Sequence, residues 1–252
     1  MKVNAIDLFC GAGGLTHGFE KVGIDVKLGI DNDPACEYPY NKNNKAQFLL
    51  ADIESVSSEV LLKKLKGKGY SLLAGCAPCQ TFSTYNAKAK SSDSRWTLLT
   101  HFSRMIREIE PDFVTMENVP GLEKHGVFHE FLSDLGRLQY HVTYQVVNAN
   151  NYGVPQHRNR LVLLASKHGI IQLLPPAKSK KQTVRQAIGN LPLLKAGDKD
   201  SQDLLHLANN LSPLNYERMV ASKPGGTWRD WSDDLVAPCH KKESAPRAPC
   251  SG

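Results

Sequence analysis

Two thiols follow directly after an apolar run in the segment GCAPCQTFS (residues 75–83). As a thiolate, a cysteine is a nucleophile, and a pair such as Cys76 and Cys79 also suits a redox centre or half of a zinc site. The zinc alternative lacks a second ligand pair of matching spacing, and a redox pair would open a helix, whereas the stretch to Asp93 is polar. A cysteine at a strand end is more often packed than reactive, so further groups must lie nearby for this segment to be a site.

An acid and two arginines accompany later apolar runs. Glu117 ends the fifth run, in MENVP (residues 116–120), and Arg158 and Arg160 lie in QHRNR, directly before another run. Adjacent strands would bring the Glu117 carboxyl near the thiol. In an extended segment, arginines spaced by one residue point the same way and bind a carboxylate or phosphate in a bidentate manner. An arginine at a strand start is more often a solvated charge, but a position at the same sheet edge as Glu117 favours a site.

A glycine-rich segment, DLFCGAGG (residues 7–14), follows the first apolar run. Such a loop before a helix lets the backbone approach a ligand closely, although a plain tight turn is the alternative. Asp31 ends the second run twenty positions after Gly11, and Asp52 ends the third. Carboxylates there can accept hydrogen bonds from ribose hydroxyls, so the pattern predicts a nucleoside site. The spacing FxGxGG differs from the dinucleotide motif GxGxxG, which disfavours a nicotinamide oxidoreductase.

The elements that position these residues alternate along the chain. Short apolar runs predict strands at VNAIDLF, DVKLGI, QFLLAD, YSLLAG, DFVTMEN, YHVTYQVVNA and RLVLLAS, and helical patterns separate most of them. This alternation predicts an α/β fold with a doubly wound, mostly parallel sheet. In such sheets ligands bind beyond the carboxyl ends of the strands, where the cysteines, the acids and the glycine loop all lie.

Four of these segments, FCGAGG, APCQTFS, MENVP and QHRNR, resemble in this order the signature motifs of the cytosine-5 DNA methyltransferases. The resemblance covers residues 3 to about 166. The later segments TVRQAIGNLP and KPGGTWRDW resemble the connector into the target-recognition region of that family. The resemblance implies the S-adenosylmethionine-dependent methyltransferase fold, S-adenosylmethionine as the cofactor, no metal, and double-stranded DNA with a flipped cytosine as the substrate. It also implies a role in a restriction–modification system.

The resemblance assigns roles to individual residues. It makes Cys79 the nucleophile, with Glu117, Arg158 and Arg160 as its catalytic partners. It places the cofactor against Phe9, Gly11, Gly13, Asp31, Asn32, Asp52, Ile53, Pro78 and Leu98, and the substrate against Gln80, Ser83 and Asn118. The chemistry accounts for these residue types, because carbon 5 of cytosine becomes nucleophilic only after a thiolate has added to carbon 6. An acid near ring nitrogen 3 stabilises the displaced charge, and the base must first leave the duplex.

Length and composition predict one domain and part of another. The chain has 252 residues and 41% hydrophobic content, and its periodicity weakens after residue 166. We therefore expect a cofactor-binding catalytic domain at residues 1–166. Residues 167–252 are expected to form a connector and an incomplete target-recognition region with a disordered tail. No apolar run could span a membrane and no signal peptide precedes the first strand, so we expect a cytoplasmic protein.

Charge is distributed unevenly along the chain. Residues 1–166 contain 18 Lys and Arg against 17 Asp and Glu, and residues 167–252 contain 13 against 8. The excess of positive charge in residues 167–252 favours a polyanionic partner, although a solvated lysine-rich surface explains this charge equally well.

The sequence departs from the family after Trp231. The family continues to a motif near Arg-Pro-Leu-Thr and to a Gly-Asn segment that packs beside the cofactor loop, and neither is found. We therefore expect either a second polypeptide that carries these motifs or a shortened chain. Two other functions stay open: a tRNA cytosine-5 methyltransferase, which the short PCQTFS loop and the connector disfavour, and a non-catalytic subunit that binds cofactor or DNA.

Overall fold

A computed structural model describes residues 2–77, 97–176 and 181–241. The chain divides into two compact units, Met1–Ala187 and Ile188–Gly252. The last strand of the first unit ends at Ser166, where the periodicity of the sequence also weakens. The assignment of cofactor binding to residues 1–166 and of target recognition to residues 167–252 stays a prediction. Within the described ranges, no helix has the length and apolar composition needed to cross a bilayer.

The first unit is built on one sheet of seven described strands in the order β3-β2-β1-β4-β5-β7-β6. β1 to β5 run parallel, and β7 is antiparallel to both of its neighbours. The prediction of a doubly wound, mostly parallel α/β sheet is confirmed. The strands are β1 (Val3–Leu8), β2 (Asp25–Asp31), β3 (Gln47–Leu50), β4 (Tyr70–Gly75), β5 (Phe113–Asn118), β6 (His141–Asn148) and β7 (Asn159–Ser166).

Five helices lie between the strands in sequence and cover both faces of the sheet: α1 (Gly14–Lys21), α2 (Glu37–Asn43), α3 (Ser58–Leu65), α4 (Thr97–Ile109) and α5 (Gly126–Arg137). Two more, α6 (Val184–Ile188) and α7 (Pro213–Ala221), follow the last strand in sequence. Short 3₁₀ helices occur at Pro34–Cys36, Pro120–Lys124, Ala149–Tyr152, Trp228–Asp230 and Pro238–His240.

Alternation of side chains along the strands produces two apolar clusters, one on each face. Ile6 and Leu73 point to the larger cluster, where α3, α4 and α5 pack. Their neighbours Ala5 and Leu72 point to a smaller cluster that includes Tyr40 of α2. β1 is buried along almost its whole length, as expected of a central parallel strand covered on both faces.

The described part of the second unit, residues 188–241, has little regular structure besides α7. Its buried apolar side chains are Leu235 and Val236. The Arg218 side chain of α7 donates to the carbonyl oxygen of Leu235 at 2.7 Å, and the ring of Trp228 stacks on His240 with 4.5 Å between centroids. This unit is therefore held together by a few polar and ring contacts around a small apolar centre.

Candidate active site

The candidate site lies along the carboxyl edge of the parallel strands. β1, β2, β4 and β5 end at this edge, and β7 begins there because it runs in the opposite direction. An antiparallel strand in this position brings its first residues, rather than its last, to the site. The QHRNR segment thus meets the end of β5, which carries Glu117, one strand away from Cys76 at the end of β4.

The acid and one arginine form an ion pair at this edge. Glu117 lies opposite Val162 in the β5–β7 ladder, and Arg160 is two residues away on the same face. The Arg160 Nε atom is 2.7 Å from Glu117 Oε1, with the two side chains 20% and 33% exposed. Arg160 Nη1 also donates to the carbonyl oxygen of Asn159 at 2.7 Å. The carboxyl group is therefore oriented by a guanidinium, while the pair remains open to solvent.

The other predicted partners in this region are placed differently. The Arg158 side chain is exposed and makes no hydrogen bond or ion pair with any described residue. Asn118 is 3% exposed, and its side-chain amide donates to the carbonyl oxygen of Ala77 at 3.2 Å. Its Oδ1 accepts the amide of Val119 at 2.8 Å, so Asn118 ties the ends of β4 and β5 together. The supporting role of Arg158 and the substrate contact of Asn118 stay predictions.

Of the two thiols in the GCAPCQTFS segment, Cys76 lies among the described residues. Cys76 is partly buried, and burial raises the pKa of its thiol well above the ordinary value. The charges of Asp7 and Glu117 raise the pKa of Cys76 further, so this thiol stays protonated. Cys79 lies outside the described residues, as do the other predicted site residues Pro78, Gln80 and Ser83.

The glycine loop after β1 has a strained backbone and one open face. Phe9, Gly11 and Gly13 have φ values of 58°, 51° and 87°. A Cβ atom built at Gly11 would meet nothing within 4 Å, so a ligand could approach the backbone there. A Cβ atom built at Gly13 would lie 2.2 Å from Asn44 Nδ2 and 2.7 Å from the Tyr40 ring. Internal packing therefore explains the glycine at position 13, and a cofactor contact there stays a prediction.

The Asp31 side chain links the glycine loop to the end of β2 through a hydrogen bond. Its Oδ2 accepts the amide of Gly11 at 2.8 Å, and its Oδ1 accepts the amide of Asp33 at 3.0 Å. Each carboxylate oxygen can accept a second hydrogen bond, so contact with a ribose hydroxyl stays a prediction. The next residue, Asn32, is exposed at the same edge. Asp31 thus shapes the loop whether or not a ligand is bound.

A second acidic turn follows β3. Asp52 is exposed, and its Oδ1 accepts the amide of Glu54 at 2.9 Å, which leaves Oδ2 without a partner among the described residues. Ile53 is 4% exposed, and Leu98 of α4 packs against the same apolar cluster. An open glycine loop, an available carboxylate oxygen and an apolar pair fit the backbone, polar and ring contacts that a nucleoside cofactor needs.

A buried polar group beneath the glycine loop was missed by the sequence analysis. Asp7 is fully buried, its Oδ2 accepts the hydroxyl of Thr16 at 2.8 Å, and that hydroxyl lies 3.1 Å from the Tyr40 hydroxyl. The other oxygen, Oδ1, has no hydrogen-bond partner in the part of the chain that the structure describes. Burial raises the pKa of Asp7 to about 7. The signal was present in the sequence, since Asp7 is the one charged residue inside the largely apolar run VNAIDLF.

Comparison with known proteins gives a consistent set of relatives. The sequence model of the C-5 cytosine-specific DNA methylases matches residues 3–243. The Type II methylase M.HgiDII of Herpetosiphon aurantiacus is 46% identical over 244 residues, which are 95% of this chain and 69% of that protein. The Type II methyltransferase M1.HphI of Haemophilus parahaemolyticus is 34% identical over 242 residues, 93% of this chain and 65% of its own.

A solved structure is also similar to this chain. A prophage-encoded E. coli protein, described as a candidate DNA modification methyltransferase, has 26% sequence identity and a TM-score of 0.66. The match covers 80% of this chain and 59% of that protein. The chain thus spans roughly two thirds of the length of the relatives that it matches.

Proposed function

Because the chain belongs to the C-5 cytosine-specific DNA methylase family, we propose that it transfers a methyl group to carbon 5 of cytosine in DNA, with S-adenosylmethionine as the donor and Cys79 as the nucleophile. The observation that carries the proposal is the Glu117–Arg160 pair at the strand edge, one strand away from the end of β4. The Type II names of the relatives extend the proposal to a restriction–modification system.

The chemistry requires a nucleophile that adds and leaves. We assign this step to the Cys79 thiolate, which forms a bond to carbon 6 and displaces an electron pair toward ring nitrogen 3. Glu117 holds the proton that stabilises this charge. When bound, S-adenosylmethionine supplies the methyl group as a sulfonium substituent. Carbon 5 takes the methyl group and loses its proton, and cleavage of the bond to carbon 6 restores the ring and releases Cys79.

The remaining residues orient these groups. Arg160 fixes the Glu117 carboxyl through Nε and keeps Nη2 for the carbonyl oxygen of the flipped base. Asn118 holds the start of the cysteine segment against the end of β5 through Ala77. The protonated Cys76 thiol takes no part in the addition.

The cofactor is assigned to the glycine loop and the acidic turn. The open backbone at Gly11 receives the methionine part, the free oxygen of Asp52 accepts from the nucleoside, and Ile53 and Leu98 contact its ring. Asp31 supports the loop and offers its remaining lone pairs to the ribose.

Two alternatives from the sequence are less well supported. A tRNA substrate has no support in the family description, which names DNA. A non-catalytic subunit would not need the oriented Glu117–Arg160 pair. The relatives give no support to a second polypeptide, so that expectation stays a prediction.

Covalent trapping tests the proposed nucleophile. In duplex DNA containing 5-fluorocytosine, the fluorine cannot leave as a proton does, so the enzyme remains bound to carbon 6 after methyl transfer. With S-adenosylmethionine present, we expect a stable protein–DNA adduct from the wild type and from Cys76→Ser, and none from Cys79→Ser.

The same preparations, assayed with tritiated S-adenosylmethionine, should label cytosine in DNA and leave tRNA unlabelled. An adduct that survives in Cys79→Ser, or label that appears in tRNA alone, would contradict the proposal.

A further inference from the structure

One side chain joins helix α4 to the turn that follows β3. Arg104 of α4 donates through Nη2 to the carbonyl oxygen of Ile53 at 2.9 Å. Its Nη1 lies 3.4 Å from both carboxylate oxygens of Glu108, one helical turn further along. The Arg104 side chain is 28% exposed, so its hydrogen bond to the turn is partly shielded from water. The contact spans fifty-one positions of the sequence and links two elements rather than neighbours in one.

The guanidinium makes the strongest hydrogen bond available to this carbonyl. The backbone amide of Val56 also approaches the Ile53 oxygen, but at 3.4 Å, beyond the usual range for N–H···O bonds. The remaining hydrogen bonds of the turn involve Asp52, whose carbonyl accepts the amide and hydroxyl of Ser55 at 3.0 and 2.8 Å. The orientation of the Ile53 peptide therefore depends on Arg104, because a charged donor binds more strongly than a long backbone contact.

The same helix contacts the end of strand β4. A Cβ atom built at Gly75 would lie 3.2 Å from the Phe102 ring, so this ring packs directly on the backbone two residues ahead of Ala77. α4 begins at Thr97, and the chain between Ala77 and this helix carries Cys79. The helix is thus anchored to β4 through Phe102 and to the acidic turn through Arg104.

We propose that Arg104 is a positioning residue for the cofactor: it holds the Asp52–Ile53 turn against α4 so that the Asp52 carboxylate and the Ile53 side chain face the bound nucleoside. This inference rests on the proposed function, since it gives Arg104 a part in S-adenosylmethionine binding. Arg104 acts through the turn and touches neither the transferred methyl group nor the base.

The proposal predicts a defect in cofactor affinity rather than in the chemical step. Arg104→Met keeps most of the apolar stem and removes the donor. We expect it to weaken S-adenosylmethionine binding to the full chain about 10-fold, as the loss of a hydrogen bond from a charged group does. Calorimetry measures the Kd. In steady-state methyl transfer, KM for the cofactor should rise while kcat stays within about twofold. Arg104→Lys retains a cation and a donor, so it should recover part of the affinity.

Arg107→Met is the matched control. Arg107 lies on the same helix and pairs with Asp134 at 2.7 Å, away from the turn after β3. Its loss should leave the Kd for S-adenosylmethionine unchanged within about twofold, as expected when a surface ion pair is removed. If Arg104→Met and Arg107→Met have equal Kd values, or if Arg104→Lys is no better than Arg104→Met, the positioning role is wrong.

A readout in the absence of cofactor separates this inference from the proposed function. Amide hydrogen exchange of Ser55 and Val56 should become faster in Arg104→Met than in Arg107→Met, because the turn loses its contact with α4. A wild-type chain that binds no S-adenosylmethionine would overturn the proposed function and with it the cofactor role of Arg104. Faster exchange in Arg104→Met would still show that Arg104 holds the turn, whereas unchanged exchange would overturn that as well.

Discussion

At the scale of single residues, burial determines which groups near the proposed site carry charge. Cys76 and Asp7 both lie at or near strand ends, and burial raises the pKa of each. For Cys76 the result is an inert thiol beside the segment that carries the proposed nucleophile. For Asp7 the result is a carboxyl group with a pKa of about 7 beneath the glycine loop, and one of its oxygens has no hydrogen-bond partner among the described residues.

We expect Asp7 to make the stability of the chain depend on pH. Because its pKa in the folded protein is about 7, against an ordinary value of 3.8, the folded state binds the extra proton between these values. The free energy of unfolding should therefore fall as the pH rises from about 4 to 7, by about 4 kcal/mol at most. Urea denaturation at a series of pH values measures this loss.

The control is Asp7→Asn, which keeps the shape and cannot ionise. Its curve should be flatter than that of the wild type between these pH values, with the difference between the two curves assigned to Asp7. Two parallel curves would contradict the assignment.

At the scale of elements, the packing of α2 on the sheet requires a glycine in β2. A Cβ atom at Gly29 would lie 2.2 Å from the hydroxyl and 2.4 Å from the ring of Tyr40, a fully buried side chain of α2. The same Tyr40 ring occupies the space beside Gly13 in the loop. Tyr40 therefore connects β2, α2 and the glycine loop, and Thr16 joins its hydroxyl to Asp7.

Gly29→Ala should consequently destabilise the fold. The added methyl group must displace the Tyr40 ring, and overpacking of this kind costs about 1–3 kcal/mol. Gly18→Ala is the matched control, since Gly18 is an exposed helical residue of α1 with nothing within 4 Å of the new atom. That substitution should stabilise the chain by up to about 1 kcal/mol. Chemical denaturation of both variants measures the difference, and a Gly29→Ala variant as stable as the wild type would refute the packing argument.

At the scale of the whole molecule, the net positive charge of residues 167–252 is confined to a short part of that range. Residues 167–187 contain five Lys and Arg and no acid, whereas residues 188–252 contain eight of each sign. The excess of Lys and Arg over Asp and Glu in the last third of the chain therefore lies in residues 167–187, which follow the last strand and end the first unit. A cluster of cations in one short segment is a good candidate for contact with DNA phosphates.

This distribution predicts which cations control the salt dependence of DNA binding. The double variant Lys181→Gln/Arg185→Gln removes two exposed cations from the basic segment. If both contact phosphates, the slope of log K against log salt should become less steep by about 1.8, at 0.9 for each contact. Lys195→Gln/Lys199→Gln removes two exposed cations from the second unit and should change the slope by less than about 1. Fluorescence anisotropy with duplex DNA measures both, and equal slopes would rule out the basic segment as the contact.

The sequence by itself determined the elements and the order of the motifs. Segments of six to ten residues marked each described strand of the sheet. The central strands β1, β2 and β4 stand out most clearly, because a strand buried on both faces needs nearly continuous apolar side chains. The motifs could be placed at strand ends as well, since the glycine loop and Cys76 come directly after such a segment and Asp31 and Glu117 lie at the end of one. The fold class follows from this local information.

Only the tertiary structure decided which of these side chains meet. The insertion of β7 between β5 and β6 puts Arg160, and not Arg158, beside Glu117, and strand pairing over such a distance leaves no local trace in the sequence. The hydrogen bond from Arg104 to Ile53 and the burial of Asp7 are decided in the same way. Burial and long-range hydrogen bonds depend on how separate elements pack, and local periodicity reports only the elements themselves.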